Sequence, residues 1–149
     1  MLSRFEQFTF MISGIYRSIQ KIEREEMDKY GLKGGYAQHL AAMARHPEGL
    51  TAAQLCEICD LDKAAVSRSL TEMEQRGLLE RDMTAGAYRA KLRLTSTGRE
   101  AADYVRKKAC AAVEAAGKNL SDGDRAVLYT ALESIAGQLQ TIAKEGLPD

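Results

Sequence analysis

The sequence predicts a mainly α-helical fold carrying one small β-hairpin, and three observations lead there. Proline occurs only 2 times in 149 residues while alanine is abundant, so helix formers are many and helix breakers few. Apolar residues recur at spacings of three and four along most of the chain, the rhythm of helices with one buried face. One segment breaks that rhythm. Arg89-Ala90-Lys91-Leu92-Arg93-Leu94 alternates strictly between basic and apolar side chains, which is the period of a half-buried strand.

The elements follow in order. Ser3 and Glu6 form a capping box, in which each side chain satisfies an orphaned backbone N–H, and a long first helix begins there. Its apolar positions Phe5, Phe8, Ile12, Ile15, Ile19 and Ile22 make a heptad-like seam, and Gly31 stops it. A second helix is predicted over 35–45, carrying Tyr36, Leu40, Met43 and Ala44 and ending before Pro47. Thr51 and Gln54 supply another capping box, for a short helix reaching about Ile58. After the turn Cys59-Asp60-Leu61, Asp62 caps a helix over 63–76 that ends at Gly77. Two short capped helices joined by so tight a turn are the helix-turn-helix pattern. A strand over 78–83, a turn over 84–87 and the alternating segment complete a hairpin, the wing of a winged helix-turn-helix. Thr95 caps a long alanine-rich helix to about Lys118, and Ser121 with Asp124 opens the last helix. Leu128, Leu132, Ile135, Leu139 and Ile142 give that last helix a second narrow seam.

We therefore expect residues 1–149 to be a single folding unit with a winged helix-turn-helix over 35–95. The helices over 1–30 and 96–145 are expected to dimerise, because their seams are more regular than a small central core requires. The expected assembly is a homodimer.

Composition bounds the remaining choices. Hydrophobic residues make up 45% and charged residues 28%, far from disordered or membrane classes. The first residues lead into no continuous apolar run, so neither a signal peptide nor a membrane partner is expected and the location expected is cytoplasmic. Three cysteines do not make a disulfide framework. With 21 acidic and 21 basic residues, total charge does not point to nucleic acid, and the distribution has to.

That distribution is uneven. At 100° per residue from Lys63, the side chains Val66, Ser69, Leu70 and Met73 fall together on the side predicted to be buried. Opposite them lie Ala64, Arg68, Thr71 and Gln75, flanked by Ser67 and Lys63, a small, polar, cationic face without a bulky apolar residue. Arginine pairs with guanine, glutamine with adenine, serine and threonine with base or phosphate, and alanine meets the thymine methyl. The hairpin adds Arg89, Lys91 and Arg93, predicted to point outward if Ala90, Leu92 and Leu94 point in. Between Lys63 and Arg93 there are seven basic residues against four acidic ones. Double-stranded DNA is the expected partner, with Thr51 at the start of the first motif helix among the contacts.

The segments Leu50-Thr51-Ala52-Ala53-Gln54-Leu55-Cys56-Glu57, Leu61-Asp62-Lys63-Ala64-Ala65-Val66-Ser67-Arg68, Gly77-Leu78-Leu79-Glu80-Arg81 and Leu94-Thr95-Ser96-Thr97-Gly98-Arg99 together resemble the MarR family of transcriptional regulators. The resemblance covers nearly the whole chain. It implies a homodimeric regulator on a pseudo-palindromic operator, usually a repressor, often released by a small-molecule effector bound between the dimerising and DNA-binding regions. Two positions depart from the family pattern. Asp60 stands where the turn usually has glycine, and the wing tip 84–89 lacks the common Asp-x-Arg, so Arg89 and Lys91 both remain candidates for the minor groove.

Other sites carry less. Cys56 and Cys59 form a CxxC without a second pair and are expected to pack as small apolar residues, and Cys110 sits among alanines near Arg106. His39 and His46 are too far apart for a metal-binding helix face, so neither a metal nor a cofactor is expected; a zinc set of His39, Cys110 and Glu23 is the less favoured alternative. An effector pocket is expected between the first, second and fifth helices, lined by Ile15, Tyr36, His39, Met43 and Tyr104. No nucleophile with an adjacent base and no phosphate loop can be assembled, so an enzyme is not expected. The competing expectation is a winged-helix interaction module whose basic face binds an acidic protein partner.

Overall fold

The computed structural model describes residues 1–148, with all their side chains except that of Tyr88. Its elements run α1 (Arg4–Lys29), α2 (Tyr36–Ala44), α3 (Ala52–Cys59), α4 (Lys63–Gln75), β1 (Leu79–Asp82), β2 (Lys91–Leu94), α5 (Ser96–Ala116) and α6 (Asp122–Glu145), with a 3-10 turn over Ala87–Arg89 between the strands. The chain is thus mainly helical with a two-stranded antiparallel hairpin, and its helix starts, except that of α2, are those that the caps in the sequence mark.

Local chemistry accounts for the boundaries. Ser3 and Thr51 each complete a capping box, with Glu6 and Gln54 respectively, and the Asp62 and Ser121 side chains accept from Ala65 N and Asp124 N. Asp60 closes α3 in the left-handed region at φ 51°, ψ 48°, the conformation that lets the chain turn at once into α4.

The residues divide into two compact units, Met1–Ala111 and Ala112–Asp149. In the first, Met27 of α1, Tyr36, Leu40 and Met43 of α2, Leu55 of α3, Val66, Leu70 and Met73 of α4 and Leu92 of β2 are fully buried in one core. Ala101 and Val105 of α5 join them. The hairpin pairs Leu79 with Leu94 and Asp82 with Lys91, and Leu50 adds a single bridge to Leu92 on the free edge of β2. Ala90, Leu92 and Leu94 face the core, as the alternation predicts.

The wing departs from expectation at its tip. Arg89 lies in the 3-10 turn ahead of β2 rather than on the strand, and Leu78 and Met83 fall outside β1. Gly86, at φ 86°, permits the reversal that precedes the turn.

The family-like segment 94–99 has a packing role. Thr95 Oγ1 donates to the Gly77 carbonyl and accepts from Gly98 N at 3.1 Å, while Thr95 N donates to the Leu78 carbonyl at 3.1 Å. Arg99 Nη1 donates to the Leu94 carbonyl at 2.8 Å. The start of α5 is thereby fastened to the root of both wing strands.

In the second unit, Arg125 bonds the Glu114 carboxylate at 3.1 Å and the Gly117 carbonyl at 2.8 Å, tying the start of α6 to the end of α5. Leu128, Ile135 and Leu139 of the α6 seam are exposed and Leu132 and Ile142 are half-buried. Among the described residues no helix is long and apolar enough to cross a membrane.

Candidate nucleic-acid interface

α4 is amphipathic in the sense its sequence predicts. Val66, Leu70 and Met73 are buried against the core and Ser69 is half-buried. Lys63, Ala64, Ser67, Arg68, Thr71 and Gln75 are all exposed. Thr71 Oγ1 donates to the Ser67 carbonyl at 3.0 Å, which spends its proton within the helix and leaves its lone pairs outward. Thr51 is half-buried, its hydroxyl accepting from Gln54 N at 3.2 Å.

The electrostatics of this face are set by which charges are paired. Arg81 bonds Glu74 at 2.7 Å, Arg93 bonds Asp82 at 3.2 Å, and Lys33 bonds Glu72. Arg76 lies over the Tyr36 ring, 5.9 Å from its centroid. Among the described residues, Lys63, Arg68, Arg89 and Lys91 have no ion pair, and Glu80 is the acid of this segment that lacks one. Three of the four acids between Lys63 and Arg93 are therefore paired, while these four cations are not.

The two outer arginines of the wing are held differently. Arg93 points away from the core, as expected, but is not free: it bonds Asp82, diagonal to it on β1, and donates from Nε to the Glu48 carbonyl at 3.2 Å. The bonds to Arg93 and Thr84 hold the Asp82 carboxyl below its ordinary range, the Thr84 hydroxyl contributing most. Arg89 remains exposed.

Sequence reasoning missed the anchor of α4. Glu72 accepts from Lys33 and, at 2.8 Å, from the buried Tyr36 hydroxyl, so that α4 is held to the loop before α2 and to α2 itself. These bonds lower the Glu72 carboxyl from its ordinary value, the Lys33 bond first. An acid spaced to face a tyrosine 36 residues away leaves no local pattern.

The expected effector pocket is also placed differently. Ile15 is exposed, Tyr36 and Met43 are fully engaged in the core, and Tyr104 stacks on Tyr30 at 4.8 Å and donates to Glu26 at 3.2 Å. A cavity of about 250 Å³ lies instead between α1, α2 and the start of α4, and of the five expected residues His39 lines it. Gln20 and Glu23 of α1, Gln38 of α2, and Leu61 and Ser69 share its wall. Small residues there, Gly34, Gly35, Ala37 and Ala65, leave the space open where bulky ones would have closed it.

Cys59 is half-buried, with its Sγ 3.9 Å from the Gln38 carbonyl, and burial pushes its thiol up from the ordinary value; Cys56 is half-buried and Cys110 exposed. Among the described residues no three His, Cys, Asp or Glu side chains come together as a metal site, so His39, Cys110 and Glu23 do not form one.

Residues 30–89, the span from the end of α1 to the wing tip, match the model of the MarR family. No curated protein matches the sequence. Among solved structures, the chain is similar to MarR, with a TM-score of 0.81 and 20% identity over 97% of this chain and 99% of that one. It is similar to a MarR transcriptional regulator from Methanosarcina mazei Go1, at 0.80 and 21% over 95% and 94% of the two chains. A MarR family regulator from Listeria monocytogenes, solved in complex with a 26mer DNA, gives 0.75 and 18% over 100% and 99%. The chain thus matches the MarR family model across its winged helix-turn-helix, and over nearly its whole length it has the fold of that family's solved members.

Proposed function

We propose that this chain is a homodimeric transcriptional repressor that binds a pseudo-palindromic DNA operator and releases it when a small effector binds. The single observation that carries this is the outward face of α4. Six small, polar or cationic side chains from Lys63 to Gln75 are exposed there together, on a helix whose other face is locked into the core. Arg68 and Gln75 read base edges in the major groove, Ser67 and Thr71 contact base or phosphate, Ala64 meets a thymine methyl, and Lys63 and Thr51 hold the backbone. Arg89 and Lys91 of the wing reach the adjacent groove or its phosphates. The complex of the Listeria relative with a 26mer supports the DNA assignment.

Dimerisation is supported by apolar side chains left uncovered on a single chain, Phe5, Ile12 and Ile15 of α1 and Leu128, Ile135 and Leu139 of α6. Such exposure is far more than scattered surface leucines, and a second copy would cover it. Two copies of α4 then fit consecutive major grooves about 34 Å apart, so a small hinge motion suffices for release. The protein works in the cytoplasm, without catalysis and without a cofactor.

The test is a gel shift with DNA from upstream of the protein's own gene across a salt series, alongside sedimentation. With three or four phosphate-neutralising cations per protomer, the logarithm of affinity is expected to fall with the logarithm of salt at a slope of about −5 to −7. The expected mass is that of two chains. No sequence preference at low salt, or a single-chain mass at micromolar concentration, would overturn the proposal.

A further inference from the structure

Arg68 and Glu72 stand four residues apart on α4, the spacing at which opposite charges on a helix meet. Four residues turn through about 400°, so Glu72 falls about 40° from Arg68, on the edge of the outward face. Left to its own helix, this carboxylate would take the Arg68 guanidinium and set a negative charge beside the candidate DNA face. It is held elsewhere. Glu72 Oε2 accepts from Lys33 Nζ, in the loop before α2, and from the Tyr36 hydroxyl at 2.8 Å. Arg76, the cation one turn further on, lies over the Tyr36 ring instead. Arg68 has no ion pair among the described residues.

We propose that Lys33 and Tyr36 are positioning residues for DNA readout, holding the Glu72 carboxylate aside so that the Arg68 guanidinium stays free for a base. Lys33 supplies the charge. Tyr36, 2% exposed with its ring fixed in the core, supplies the direction, because its hydroxyl cannot follow the carboxylate toward Arg68. The Lys33 bond lowers the Glu72 carboxyl most and the Tyr36 bond next, so the acid stays ionised and engaged at neutral pH. Glu74, the acid next to Ser67 at the opposite edge of the face, is likewise drawn off, by Arg81 at 2.7 Å. The consequence for DNA rests on the proposed function; the pairing of Arg68 in the free protein does not.

The test compares the parent with Lys33→Met/Tyr36→Phe, which removes both donors and keeps the core ring, and with the same pair carrying Glu72→Gln. In the full chain with ¹⁵N-labelled arginine, the Arg68 Nε–H resonance is read without DNA. It is expected to move toward a hydrogen-bonded position in the double variant and to return in the triple. Preference for operator over scrambled duplex, by fluorescence anisotropy at fixed salt, is expected to fall about 1.4- to 2.3-fold for each half-site, or about two- to fivefold per dimer, and to recover in the triple. A merely structural role would lower Tm without that rescue. An Arg68 resonance unmoved in the double variant, or a preference that Glu72→Gln fails to restore, would overturn the assignment. A moved resonance with unaltered preference keeps the guarded arginine and overturns its part in readout. A parent that prefers no duplex overturns the proposed function, and the Arg68 resonance alone then decides whether Glu72 is held aside.

Discussion

Gly98 joins the wing to α5, and replacing it by alanine has a magnitude that can be worked from the geometry. A Cβ at this position would lie 2.0 Å from the Leu78 carbonyl oxygen, 3.0 Å from its carbon and 3.2 Å from Leu94 Cδ2. Carbon and oxygen rest no closer than about 3.3 Å, so the start of α5 must move by about 1.3 Å. That movement strains the bonds that Thr95 makes to Leu78 and Gly77. Overpacking costs about 1–3 kcal/mol and a weakened hydrogen bond about 1 kcal/mol, against about 1 kcal/mol returned by the helix preference of alanine. The net loss is about 1–3 kcal/mol, which in a protein of this size lowers Tm by about 2–12 °C. Circular dichroism melts of Gly98→Ala measure it. Gly137→Ala is the control, since nothing lies near a Cβ at that α6 position, and it is expected to stabilise by a few tenths to about 1 kcal/mol. A Gly98→Ala variant melting within ~1 °C of the parent would refute the claim that close approach of backbone requires this glycine.

Three further outcomes are expected. Asp60→Gly should be neutral or raise Tm slightly, while Asp60→Val, forcing a β-branched residue to φ 51°, should lose about 2 kcal/mol in urea unfolding; equal stability of the two would contradict a left-handed constraint at the turn. Glu72→Ala leaves the Tyr36 hydroxyl without its acceptor and should cost about 1–2 kcal/mol, and a double-mutant cycle with Tyr36→Phe should return a coupling energy of about 1 kcal/mol, zero coupling being the contrary result. The depressed pKa of His39 gives stability a pH dependence of definite sign. As pH falls below 6.5 the unfolded chain takes up a proton that the buried ring declines, so the contribution present above that value is lost on acidification. Melts between pH 7.5 and 5 should therefore fall less for His39→Gln than for the parent, and parallel curves would exclude the linkage.

What could be read from the sequence was what depends on near neighbours. Ser3, Thr51, Asp62 and Ser121 mark helix starts because a cap bonds a backbone N–H three residues on. Asp60 stands where the turn usually has glycine, and it adopts the left-handed conformation that such a position requires. The alternation at 89–94 placed Ala90, Leu92 and Leu94 inward. Distant partners were not legible in this way. Nothing around Arg93 marks it for Asp82, nor Arg81 for Glu74, yet those pairs decide which cations stay free. The cavity was misplaced for a related reason. Tyr36 and Met43 suggested a pocket by residue type, whereas the space arises where α1, α2 and α4 meet over small residues, and unfilled volume has no sequence pattern.

The central claim is that the outward face of α4 reads DNA, and Arg68→Ala tests it most directly. Arg68 is exposed and unpaired among the described residues, so its removal should leave Tm within ~1 °C. If each copy contributes about 1–3 kcal/mol at its half-site, a dimer loses about 2–6 kcal/mol, or roughly 30-fold to 10⁴-fold in affinity for the operator. Fluorescence anisotropy with operator and scrambled duplexes at fixed salt reads both terms. The account predicts a collapse of the preference for operator over scrambled DNA, with non-specific binding falling far less. A variant that binds the operator as tightly and as selectively as the parent would contradict it.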